Sequence, residues 1–172
     1  MSLVSKYLAQ AEKTVVNSPD DADIQIVSQA IELATAGKYV TVVADDTDVI
    51  LLLVYHMQGA MSEMYFCSEK SKKTWSIHDI ISNVGPLVKH HILFLHAWTG
   101  CDITSSTFGH GKKSLINKPQ SSKELQSLSD IICDPCATRD QVVEAGCDVV
   151  IKMYGGKNDS SNKLRQVYLH GF

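Results

Sequence analysis

One six-residue run, Tyr39-Val40-Thr41-Val42-Val43-Ala44, constrains this chain more than any other segment. It is β-branched and nearly unbroken in apolarity, the pattern of a strand buried in a parallel sheet. Three carboxylates in four positions, Asp45, Asp46 and Asp48, follow it directly, and a short helix is expected through Val49 to His56. Met64-Tyr65-Phe66-Cys67 reads as a second strand and Thr74-Trp75-Ser76-Ile77 as a brief third. Helix and strand in alternation argue for an α/β domain with a short, mainly parallel sheet.

Apolar residues at helical spacing predict a helix over Leu3 to Val16. Ser18-Pro19-Asp20-Asp21 then supplies an N-cap, a proline at the first helical position and an acid three residues after the cap. The second helix should run from there to about Ala36, with Gly37 as its stop. Ile77 to Val84 reads as a short helix, and Pro86 opens another that continues to Trp98 and breaks at Gly100. The remainder is a loop over Ser105 to Gly111 followed by helices over Ser121 to Ile132, Thr138 to Tyr154 and Ser161 to Leu169.

With 172 residues, 44% apolar and 20% charged, the chain is long enough for one soluble domain with its own core. Its longest apolar run, Val49 to Tyr55, is too short to cross a bilayer, and Met1 to Lys6 lacks the regions of a secretory signal. An intracellular protein, nuclear or cytoplasmic, without a membrane partner is expected. The five cysteines fit reduced thiols better than a disulfide framework. The net charge of −3 divides into −7 over residues 1–69 and +4 over residues 70–172. A basic half can hold a phosphate backbone while an acidic centre recruits metal.

Seven of the thirteen aspartates fall in three clusters placed where the chain should turn: Asp20-Asp21-Ala22-Asp23, Asp45-Asp46-Thr47-Asp48 and Gly100-Cys101-Asp102. Gathered carboxylates repel one another unless a cation shares them, so the pattern points to Mg²⁺ or Mn²⁺ and to phosphodiester chemistry. Asp46 and Asp48 stand two apart, and extended backbone would direct both to one side, at the C-terminal end of a parallel strand where ligands collect. Helix capping competes with this reading, although one aspartate suffices for a cap. Asp21 and Asp23 have the same alternative through capping and the helix dipole, and Asp102 alone is an ordinary turn residue.

The order of these motifs resembles the flap endonuclease and XPG-type nucleases of the PIN-like superfamily, through the segment known as the XPG-I region. There a Glu-Ala-Glu-Ala helix start, a Glu-Asp-x-Asp strand end and a Leu-Gly-Ser-Asp-Tyr segment supply metal ligands. Asp21-Ala22-Asp23-Ile24, Asp45-Asp46-Thr47-Asp48 and Thr99-Gly100-Cys101-Asp102-Ile103 are similar to them in that order. The resemblance implies a PIN-like three-layer core with a helical C-terminal part. The resemblance covers roughly Pro19 to Ser114, and the chain is expected to be one domain, an acidic α/β core over residues 1–104 and a glycine loop with helices over 105–172. It makes Asp46, Asp48 and Asp102 the leading catalytic metal ligands, Asp21 and Asp23 secondary ones, and Asp45 a supporting one. The segment Ser105 to Lys113 is similar to the family's glycine-rich hairpin, so Gly109, His110, Gly111, Lys112 and Lys113 would contact nucleic acid, DNA ahead of RNA. It is not a Walker A loop, because Ser106 stands where the first glycine belongs.

Two departures bear on activity. Aspartates replace both glutamates of the first motif, and the family's first strand, with its acids, has no counterpart among the residues before Asp21. A neighbouring strand would then keep an unpaired edge, to be completed by an N-terminal segment or a protein partner. A metal-dependent nuclease and a catalytically inactive module that binds nucleic acid or protein are both consistent with these residues. Elsewhere, Cys133-Asp134-Pro135-Cys136 reads as inert thiols at a helix junction, and His90, His91 and His96 as packing residues of an apolar helix.

Overall fold

The sheet is built around a strand-helix-strand unit. In the computed structural model, which describes residues 3–19, 21–100 and 123–153, β1 (Val40–Val43) leads through α3 (Thr47–His56) to β2 (Met64–Ser68). The two strands pair in parallel, with Val40 opposite Met64 and Val43 opposite Cys67. β3 (Lys73–Ser76) returns antiparallel to β2 after a tight turn in which Lys72 takes a left-handed φ of 55°. The order is β1-β2-β3. The expectation of a mainly parallel sheet is therefore corrected to a mixed one, because so short a connection can only reverse the chain.

Val40, Val42, Met64 and Phe66 point to one face and form the main core with α2 (Ala22–Thr35), α3 and α4 (Ile77–His90), through Val27, Ala30, Val49, Leu53 and Ile77. On the other face Thr41, Val43 and Tyr65 are exposed, Val43 at 57%. Among the described residues helices cover one face of the sheet, so neither the fully buried strand nor the three-layer arrangement is found there. The pleat explains this: alternate side chains of β1 must leave the helix-covered face, and nothing described packs on them.

Helix boundaries shift for local reasons. α1 (Leu3–Gln10) ends before the expected Val16 because the chain turns at Ala11-Glu12, where Glu12 has φ 56°. α2 begins at Ala22 and not at Pro19; Asp21 is its N-cap, and the Ser18 hydroxyl donates to the Asp21 carbonyl at 2.9 Å. Gly85, at φ 80° and ψ 165°, kinks α4 before Pro86, and the helix continues to His90. The helix expected to run unbroken to Trp98 is divided at His91, after which α5 (Ile92–Thr99) begins. α6 (Lys123–Cys133) and α7 (Arg139–Met153) pack together and share a second apolar cluster with α4 and α5, through Val88, Phe94, Leu95, Leu125 and Val149. The loop over Ser105 to Gly111 and the helix over Ser161 to Leu169 lie outside the described residues. No helix among the described residues is long and apolar enough to cross a membrane.

Candidate acidic site

Backbone bonds fix where α2 meets the sheet. The Ser62 amide donates to the Ala34 carbonyl at 3.1 Å and the Val40 amide to the Glu63 carbonyl at 3.2 Å, so the last turn of α2 sits where β1 and β2 begin. Asp45, Asp46 and Asp48 follow the C-terminal end of β1, and Asp21 and Asp23 stand at the start of α2.

Asp21, Asp45, Asp46 and Asp48 each have a partner. Asp21 caps α2 by accepting from the Asp23 amide at 2.9 Å, and Asp46 caps α3 by accepting from the Asp48 amide at 2.9 Å. Because α3 starts at Thr47, Asp46 and Asp48 do not share an extended segment, contrary to the expectation. Asp45 turns to the β2–β3 hairpin, where its Oδ1 accepts from the Ser68 hydroxyl at 2.7 Å and the Lys70 amide at 2.9 Å. The Ser68 hydroxyl first, then the Lys70 amide, hold this carboxyl below the ordinary carboxylate value. Asp48, half-buried, places Oδ1 2.9 Å from Nε2 of His96 on α5.

That last contact joins two motifs. Gly100 ends α5 four residues beyond His96, about 6 Å along the helix, so the described part of the third motif starts within one turn of the residue that touches Asp48. Asp102, Gly109, His110, Gly111, Lys112 and Lys113 lie outside the described residues. No three of Asp21, Asp23, Asp45, Asp46 and Asp48 bring ligand atoms together closely enough for one ion among the described residues. A cap uses one oxygen of Asp46 and leaves the carboxylate a second, and Mg²⁺ is commonly held by one or two carboxylates completed by water and phosphate. Among the described residues these acids do not form a two-metal centre.

Sequence spacing concealed His96, which lies 48 residues from Asp48, and the anchoring of Asp45 by Ser68 and Lys70. Of the histidines expected to pack, His91 is buried, with its Nδ1 2.8 Å from the Ser129 hydroxyl, whereas His90 is exposed beside Asp130. Cys133 and Cys136 are exposed at the α6–α7 junction, with the Cys136 amide donating to Asp134. No protein-family model, curated protein or solved structure matches this chain. The residues themselves carry the functional reading.

Proposed function

We propose that this chain is a nuclease-derived module of the PIN-like, XPG-like kind that binds nucleic acid and retains little or no cleavage. The observation that carries the reading is the contact between Asp48 and His96, because it links the acidic end of β1 to the helix that leads into Gly100-Cys101-Asp102. Asp46, Asp48 and Asp102 would hold one Mg²⁺ or Mn²⁺, with Asp21 and Asp23 at the margin. The ion would supply positive charge for a phosphate. Asp45 is committed to the hairpin, and one oxygen of Asp48 already faces His96, so the ligand set falls short of the paired cations that phosphodiester hydrolysis commonly uses. Gly109 and Gly111 would allow close backbone approach to phosphate, while His110, Lys112 and Lys113 supply side-chain contacts.

The test combines binding and cleavage of flap and single-stranded DNA by the full chain. Binding should weaken as salt rises and should fall when Lys112→Ala is combined with Lys113→Ala, while cleavage stays near background with Mn²⁺ present. Robust Mn²⁺-dependent cleavage that Asp46→Ala abolishes would establish the enzyme instead. Absence of salt-sensitive binding would favour a protein-interaction role, which has an observation of its own: among the described residues β1 pairs only with β2. Its open edge borders a groove of about 650 Å³ lined by Val16, Ser18, Ala22, Ile26 and Val42. A strand from a partner or from another segment of the protein would complete the sheet there.

A further inference from the structure

A second polar cluster lies where the α4–α5 junction meets α6. His91, at that junction, is 4% exposed, and its Nδ1 stands 3.8 Å from Asp130 Oδ1 as well as 2.8 Å from Ser129 Oγ. His90 directs Nε2 to the same carboxylate oxygen at 3.1 Å, and the two imidazoles meet edge to face with centroids 4.6 Å apart. Neighbours in a continuous helix diverge by about 100°. The break at His91, with φ −97° and ψ 9°, lets both rings address α6.

One ligand atom from each of His90, His91 and Asp130 lies within 4.8 Å of the other two. In a tetrahedral site with bonds of about 2.0 to 2.2 Å, ligand atoms stand about 3.3 Å apart. The two distances to Asp130, 3.1 and 3.8 Å, bracket that figure. Closing the set around an ion moves the exposed side chains of His90 and Asp130, 69% and 55% exposed, and requires the Ser129 hydroxyl to give up Nδ1 of the buried His91. Two imidazoles with one carboxylate suit Zn²⁺ and its transition-metal neighbours, whereas Mg²⁺ and Ca²⁺ prefer all-oxygen shells.

We propose that His90, His91 and Asp130 form a Zn²⁺ site that clamps α6 to the α4–α5 junction and leaves one coordination position open to solvent. Ser129, itself buried, holds the His91 ring in place through its hydroxyl before the ion arrives. The site is separate in residues and in ion from the acidic end of the sheet, and it does not rest on the nuclease-derived reading.

The test is calorimetric titration of the chelator-treated full chain with Zn²⁺, together with Co²⁺ absorption to report tetrahedral geometry. One ion should bind per chain and raise the melting temperature. His90→Gln and Asp130→Asn, both at exposed side chains that leave the core intact, should each weaken binding by more than about tenfold, the loss typical of removing even an outer-shell partner. Asp46→Asn with Asp48→Asn should leave it unchanged. So should Cys136→Ser, which breaks the competing thiol pair without touching Ser129. Zn²⁺ affinity unaffected by His90→Gln and Asp130→Asn, affinity lost with Cys136→Ser, or no binding by the wild type would each overturn the site.

Discussion

Asp46 separates a helix cap from a cation ligand, because asparagine caps a helix about as well as aspartate but coordinates a hard cation far less well. Asp46 has the extended geometry of an N-cap, φ −83° and ψ 134°, and its Oδ1 accepts from the Asp48 amide at 2.9 Å. Asp46→Ala leaves that amide without its partner, a change that costs about 1 kcal/mol at a typical cap. For a chain of 172 residues this should lower the melting temperature by about 2 to 4 °C. Asp46→Asn keeps the acceptor and loses only the attraction of a negative charge for the helix start, about 0.3 to 1 kcal/mol. In chelator the order of stability should be wild type, then Asp46→Asn, then Asp46→Ala.

Mn²⁺ then reports the second role. At ten times its dissociation constant a bound ion stabilises the folded chain by about 1.4 kcal/mol, comparable with the whole effect of the cap. Melting curves with and without Mn²⁺ should show that gain in the wild type and its loss in Asp46→Asn. If Asp46→Asn falls as far as Asp46→Ala in chelator, the capping account is wrong. If Mn²⁺ raises wild type and Asp46→Asn equally, Asp46 is not a ligand.

Leu53 is fully buried in the main core, so Leu53→Ala should cost about 2 to 5 kcal/mol and lower the melting temperature by about 5 °C or more in calorimetry. Gly85→Ala should cost about 1 to 3 kcal/mol in denaturant titrations, entirely through backbone strain, because φ 80° with ψ 165° is a glycine conformation while the space around an added Cβ is empty. The Asp45 carboxyl titrates below its ordinary 3.8, so its stabilising hydrogen bonds are present above that pH and are lost as pH falls through the lower folded value. Ser68→Ala should move the Asp45 titration, followed by NMR, back up toward 3.8; no movement would show that the hydroxyl does not hold it.

The strand-helix-strand unit was legible because local and global preferences agree there: β-branched residues in β1, an acid at the cap and an apolar α3. The half-exposure of β1 was not, because a run of valines looks the same in a central and an edge strand. Glu12 shows a different limit. Helical spacing continues to Val16, yet Thr14, Val15 and Val16 are β-branched and hold the helix weakly, and the chain leaves it at Glu12. At His91 no glycine or proline marks the break between α4 and α5, and the ring is held by Ser129 from a helix 38 residues away. Of the acidic site, the capping alternative for Asp21 and Asp46 was visible in the sequence. The anchoring of Asp45 and the partner of Asp48 were not, since both come from segments distant in the chain.

Those two partners alter what the cluster means. Three carboxylates in four positions raise the question of what offsets their repulsion, and a shared cation is the simplest answer from sequence. In the folded chain the answers differ residue by residue. Asp46 faces the amides at the start of α3, Asp45 takes the Ser68 hydroxyl and the Lys70 amide, and Asp48 meets His96. Only the contact with His96 depends on a group that can itself carry positive charge, and it is the one an incoming cation must displace to use the facing oxygen of Asp48. The cation of the proposed function would therefore compete with an imidazole already in place, and under that proposal it would be weakly held.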